Sequence, residues 1–129
     1  FATVGENAWV DPVYFSYGSN IHIGRNFYAN FNLTIVDDYT VTIGDNVLIA
    51  PNVTLSVTGH PVHHELKKKG EMYSFPITIG NNVWIGCHVV INPGITIGDN
   101  SVMVRVVSSQ KTFHQTSWLQ AFLVGLFAK

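Results

Sequence analysis

Three histidines and a glutamate fall within six positions, His60-Pro-Val-His63-His64-Glu65, between Gly59 and the lysine run 67–69. Three readings are open to such a cluster. Imidazole and carboxylate groups bind zinc. A neutral imidazole is a general base near pH 7. A polar loop tip needs no chemistry at all. A zinc-protease arrangement would put two histidines on one helical face, and Gly59 and Pro61 around His60 oppose a helix there. A metal site within a loop, from His60, His63 or His64 with Glu65, stays open, although adjacency alone does not supply convergent geometry. His60 differs from its neighbours because it ends a stretch in which Leu55 and Val57 still alternate inward. A side chain at that point is fixed by the framework yet open to a groove.

The framework is a repeat. Apolar-x-apolar-Gly-x-Asn occurs as Ile21-His-Ile-Gly-Arg-Asn26, Val41-Thr-Ile-Gly-Asp-Asn46, Ile77-Thr-Ile-Gly-Asn-Asn82 and Ile95-Thr-Ile-Gly-Asp-Asn100, with a weaker copy at Ala2-Thr-Val-Gly-Glu-Asn7. The copies begin 18 residues apart between 77 and 95, 36 apart between 41 and 77, 20 between 21 and 41, and 19 between 2 and 21. Within the units an aliphatic returns every sixth residue, at Ile43, Ile49 and Leu55 and again at Ile79, Ile85, Ile91 and Ile97. Period six fits neither an α-helix nor a flat amphipathic strand. It fits a three-sided prism, a parallel β-helix in which each side is a short strand and each corner a tight turn. The expectation is one inward aliphatic per strand, with Gly and Asn at corners that need φ > 0. The extra residues of the 19- and 20-residue units are expected as corner bulges.

Composition narrows the function. With 129 residues the chain is large enough for one continuous core. Seven basic and eight acidic residues leave a formal charge of −1, which offers no electrostatic footprint for nucleic acid. The single cysteine, Cys87, excludes an intrachain disulfide and suits a reducing compartment. The longest apolar run, near 119–128, is too short to span a bilayer and contains Gln120. Charged residues make up only 12%, which fits flat outer faces that are covered by other protein.

The stretches "NFYANFNLTIVDD" (26–38), "IGDNVLIAPNVTLSVTGHPVHHE" (43–65) and "ITIGNNVWIG" (77–86) make the resemblance specific. The chain resembles the hexapeptide acyltransferases, and within them the sugar O-acetyltransferases that include the maltose and nodulation enzymes. That resemblance implies a left-handed parallel β-helix with an external loop at about 57–76. It implies transfer of acetyl from acetyl-CoA to a hydroxyl of a galactoside or similar sugar. His60 matches the general base, acting on the acceptor directly with no acyl-enzyme and no metal. Ser16, Asn30 and Asp38 match acceptor-binding positions, where hydroxyl, amide and carboxylate groups supply directional hydrogen bonds to a sugar; Asn30, Asp37 and Asp38 also read as turn residues. Tyr28 and Met72 are read as apolar walls beside the sugar. Trp84 and Cys87 are read as contacts to the coenzyme, with Trp84 equally suited to a subunit interface. Lys67, Lys68 and Lys69 read as a solvated loop tip or a partner for a coenzyme phosphate. The family forms homotrimers with active sites between subunits, in the cytoplasm, without nucleic acid or membrane. Two other classes stay open: a metal-dependent hydratase of the β-helical carbonic anhydrase type, and an inactive remnant of an acetyltransferase.

The two ends depart from the family pattern. Relatives begin with a helical segment of several dozen residues that is not found before Phe1. Asp11-Pro12-Val13 looks one residue shorter than the matching turn. After Asn100 the rhythm fails, and residues 1–102 are read as the β-helical domain with 103–129 as a non-family tail. Back-translated and shifted by one base at codon 103, the tail reads Gly-Ala-Gly-Ser-Val-Val-Thr-Lys-Asp-Ile-Pro-Pro and later Gly-Val-Pro, as relatives do. The expectation is a one-nucleotide deletion there.

Overall fold

A computed structural model describes residues 1–105; the tail from 106 onward, on which most of the frameshift expectation falls, lies outside the described residues. The chain winds in coils of three short strands. The first carries β1 (Thr3–Val4), β2 (Trp9–Val10) and β3 (Val13–Phe15), and the second β4 (Ile21–Ile23), β5 (Tyr28–Ala29) and β6 (Leu33–Val36). The third carries β7 (Val41–Ile43), β8 (Leu48–Ile49) and β9 (Thr54–Ser56). An excursion follows, made of β10 (Thr58–Gly59), α1 (His64–Lys68) and β11 (Tyr73–Ser74). The fourth coil is β12 (Ile77–Ile79), β13 (Trp84–Ile85) and β14 (Val90–Ile91), and the fifth opens with β15 (Thr96–Ile97) and β16 (Val102–Met103).

Equivalent strands stack in parallel into three sheets: β1-β4-β7-β12-β15, β2-β5-β8-β13-β16 and β3-β6-β9-β14. The register repeats the sequence spacing, with Thr42 beside His22 and Thr78, and Thr78 beside Thr96. The chain is therefore a parallel β-helix of hexapeptide repeats, as the period predicts. Every sixth-residue aliphatic from Ile43 to Ile97 is buried.

Two details of the corner and core logic differ from expectation. Most strands send in two residues, i and i+2, rather than one: Val41 with Ile43, Val47 with Ile49, Val53 with Leu55, Val83 with Ile85. The second column keeps the same six-residue period, at Val41, Val47 and Val53 and again at Ile77, Val83 and Val89, two residues before the first. Each fully buried aliphatic of this kind contributes roughly 1.5–3 kcal/mol. The corner residues also divide their work. Within the repeat it is asparagine that takes the left-handed conformation, at Asn7, Asn26, Asn46, Asn82 and Asn100 on one corner and Asn32 and Asn52 on the next, where His88 (φ 59°) fills the place in the fourth coil. The repeat glycine has an ordinary φ and is needed for space. A Cβ on Gly44 would come within 2.5 Å of Asn81 Oδ1 and 2.7 Å of the Gly80 carbonyl oxygen in the neighbouring coil.

The asparagines stack as an amide ladder. Each Nδ2 donates to the next Oδ1, Asn26 to Asn46 at 2.9 Å, Asn46 to Asn82 at 3.1 Å and Asn82 to Asn100 at 3.1 Å. Beside it a second ladder runs from backbone to side chain. Arg25 N donates to Asp45 Oδ1, Asp45 N to Asn81 Oδ1 and Asn81 N to Asp99 Oδ1, all at 2.7–2.8 Å. The bond from the Arg25 amide, aided by the nearby Arg25 guanidinium, holds the Asp45 carboxyl below its ordinary value against the opposing effect of desolvation.

Departures from the 18-residue coil are concentrated on one edge. Between β6 and β7 eight residues separate the paired positions Ile35 and Ile43, whereas six separate Ile91 and Ile97 at the same edge two coils on. The excursion 57–76 leaves from that edge too. The other irregularity is at the second corner, where the pairing offset grows from 19 residues (Trp9 with Tyr28) to 20 (Val13 with Leu33), so the turn at Asp11-Pro12 is one residue shorter than that of the next coil.

Candidate active site

The irregular edge is built on Asp37. Its side chain is buried and accepts the Tyr17 amide at 2.8 Å and the Asn20 amide at 3.3 Å, while the Asn20 side chain donates to the Asp37 carbonyl at 2.7 Å. A carboxylate that satisfies backbone donors of the adjacent coil is structural. The residue after it is not so used up. Asp38 is half-buried and accepts the hydroxyl of Thr58 through Oδ2, and Thr58 Oγ1 lies 3.1 Å from Ser74 Oγ. Thr58 and Ser74 face each other in the antiparallel β10–β11 ribbon, with Gly59 opposite Tyr73.

His60 follows the ribbon directly. Its side chain is exposed, and Nδ1 lies 3.2 Å from the carbonyl oxygen of Glu71. A carbonyl accepts only, so this contact puts the proton on Nδ1 and leaves the Nε2 lone pair free. That is the tautomer a general base needs, and the same bond fixes the ring.

His63 and His64 have other company. Their rings stack on each other at 5.1 Å, and His64 Nε2 meets Glu65 Oε1 at 2.9 Å, with both side chains largely in solvent. No helix forms at His60, as Gly59 and Pro61 predict, and the helix of this segment starts only at His64. Pro61 restrains His60 before it but not the residues beyond, and one short helix forms at His64–Lys68. Glu65 in its first turn and Lys67 and Lys68 in its last suit the helix dipole. Among the described residues no three His, Cys, Asp or Glu side chains converge as a metal site requires.

The other predicted residues separate by side of the prism. Ser16, Asp38, His60 and Met72 share the irregular edge. Asn30 and Cys87 lie at the next corner, where the Asn30 Oδ1 accepts the Phe31 amide at 2.9 Å and so serves its own turn; Cys87 is exposed and free. Tyr28 and Trp84 point outward from the face opposite the irregular edge. There they join a continuous apolar column, Trp9, Tyr28, Leu48, Trp84 and Val102, each in register with the next. Trp84 is 48% exposed and Trp9 62%. A groove of about 320 Å³ runs beside this column over the asparagine ladder, lined by Leu48, Trp84, Val102, Asn46, Asn82 and Asn100. Thr58, Ser74 and the Glu71 carbonyl were not foreseen. Asp38 and Thr58 are 20 residues apart, the same spacing that pairs Thr34 with Thr54, so that contact had a signal in the sequence.

Residues 76–103 match the family described as bacterial transferase hexapeptide (six repeats). Over 104 residues the chain is 93% identical to the galactoside O-acetyltransferase of Escherichia coli (strain K12), covering 80% of this chain and 51% of that protein. A solved galactoside acetyltransferase in complex with coenzyme A superposes with a TM-score of 0.77 at 94% identity, over 78% of this chain and 51% of that one. A hexapeptide-repeat acetyltransferase from Vibrio cholerae, complexed with acetyl coenzyme A, superposes with a TM-score of 0.78 at 35% identity, over 81% of this chain and 57% of that one. The chain thus spans about half the length of the relatives it matches. Within that span it is a hexapeptide-repeat β-helix, similar in sequence and in fold to the galactoside O-acetyltransferases.

Proposed function

We propose that this chain carries the catalytic half-site of an acetyltransferase that moves an acetyl group from acetyl-CoA to a hydroxyl of a galactoside, in the cytoplasm. The observation that carries the reading is the 93% identity to a galactoside O-acetyltransferase across a segment that includes His60 and the edge beneath it. Acetyl-CoA supplies an activated thioester. His60 Nε2 takes the proton of the acceptor hydroxyl as that oxygen attacks the thioester carbonyl, and the imidazolium then returns a proton to the departing thiolate. The Glu71 carbonyl holds the ring throughout, so a base is presented without an acyl-enzyme. Asp38 and Ser16, on the same edge, hydrogen-bond the sugar, and Met72 walls it.

The remaining residues argue for more than one chain. In a three-sided prism the edge bearing His60 is opposite the face bearing Tyr28 and Trp84. No single copy brings them together. A complete site therefore takes the edge of one copy and the apolar column of the next, which is the arrangement of a homotrimer with sites between subunits. It also covers a column of exposed aromatic and aliphatic residues that a lone chain would leave wet. The test is a mixing experiment. His60→Ala and Trp84→Ala chains should each be poorly active, and mixed after unfolding they should recover part of the wild-type rate, because some interfaces then contain two intact halves. Chelator should leave that rate unchanged. Absence of recovery on mixing would overturn the shared site, and stoichiometric bound zinc, with activity lost on its removal, would favour the hydratase reading.

We further propose that residues beyond 103 are read out of frame. Two facts support it: Met103 still fills the inward position beside Ile85, and the match to the repeat family stops there. The DNA around codon 103 in an independent clone decides it.

A further inference from the structure

The proposed mechanism uses Asp38 and His60 but leaves the two hydroxyls between them without a task. Thr58 has one hydroxyl proton. A carboxylate accepts only, so that proton goes to Asp38 Oδ2. Thr58 Oγ1 is then free to accept, and the Ser74 hydroxyl, 3.1 Å away, donates to it. The direction of the chain is fixed: Ser74 to Thr58 to Asp38. Its members are half-buried, where hydrogen bonds in series reinforce one another. Ser56 secures the near end, with its hydroxyl 3.1 Å from the Thr58 carbonyl and accepting the Thr58 amide at 3.4 Å.

The placement matters as much as the bonds. Thr58 and Ser74 are partners across the ribbon whose next residues outward lead to His60 and to Glu71, the carbonyl that holds His60. The same two strands therefore fix the base at one end and one oxygen of Asp38 at the other. Occupying Oδ2 leaves Oδ1 as the carboxylate oxygen available to an acceptor hydroxyl. We infer that Thr58, supported by Ser74, is a positioning residue that selects which oxygen of Asp38 meets the sugar. This rests on the acceptor role proposed for Asp38.

The experiment is steady-state kinetics on the full chain with galactoside varied at saturating acetyl-CoA, for Thr58→Val, Thr58→Ser, Asp38→Asn and the Thr58→Val/Asp38→Asn double variant. Removing a hydrogen bond to a charged group should raise the galactoside KM about tenfold in Thr58→Val. Its kcat and its KM for acetyl-CoA should stay within about twofold, since the base is untouched. Thr58→Ser should restore the wild-type KM, and in the double variant Thr58→Val should add little to Asp38→Asn, as expected for residues acting through one contact. Should Thr58→Val fail to fold, Ser74→Ala keeps the bond to Asp38 and should give a smaller rise in the same KM. If no variant turns over, calorimetric binding of galactoside supplies the same comparison. A wild-type KM in Thr58→Val beside a raised KM in Asp38→Asn would overturn the inference and leave the proposed function standing. An unchanged KM in Asp38→Asn would instead remove the acceptor role on which both depend.

Discussion

Two kinds of corner share this prism. On the asparagine corner every coil repeats the last: one left-handed Asn, one glycine packed against the neighbouring coil, one amide ladder. On the third edge the repeat is broken. Asp37 is buried under backbone donors, the coil gains two residues, and a whole excursion leaves between the third and fourth coils. The regular corner offers no side chain that is both fixed and idle, because each polar group there is spent on its neighbour. The irregular edge holds its residues just as firmly and leaves His60 Nε2 and one oxygen of Asp38 free. The groups left free for chemistry are found where stacking has been interrupted.

Glycines break the comparison most visibly. Gly44→Ala drives a Cβ against backbone of the next coil and should lower stability by about 3 kcal/mol, the upper range for overpacking a rigid site. Gly70, in the excursion, has φ 72°, and a methyl group added there would meet nothing within 4 Å. Gly70→Ala should therefore cost only about 1 kcal/mol, from the left-handed backbone alone. Chemical denaturation of the two variants measures both. Similar losses would show that the corner glycine is chosen for its conformation after all.

The Asp45 ladder should give the smallest effect. Asp45→Asn keeps an oxygen to accept the Arg25 amide, as Asn81 does for Asp45, and gives up only the charge. Because the folded carboxyl is held below its ordinary value of 3.8, its contribution is present above that pH and is lost as pH falls through the folded value. The difference between wild type and Asp45→Asn should therefore be small at pH 7 and vanish in acid. A difference that grew on acidification would contradict the assigned sign.

Much of this was legible in the sequence, and the reasons are particular. A six-residue period names the inward aliphatics because every coil presents the same three sides, so Ile43 through Ile97 are buried as read. It says less about glycine, since crowding between coils depends on the neighbour's side chain and leaves no mark in local propensity. His60 was legible as the end of the inward alternation. That Trp84 stands on the face opposite it was not, because its side of the prism becomes clear only after counting strands past a 20-residue excursion. The Asp38–Thr58 contact lay in the 20-residue spacing. Ser74 did not, since its place depends on the register of the β10–β11 ribbon.

If the irregular edge carries the chemistry and the repeat carries the fold, rate and stability should come apart at His60. Acetyl transfer and thermal unfolding measured together on His60→Ala, His63→Ala and His64→Ala test this most directly. His60→Ala should lose about 10²-fold or more in rate, the scale for a missing general base, with an unchanged unfolding midpoint, while the other two lose much less. Equal losses in all three variants, or a His60→Ala chain that keeps its rate, would contradict the claim.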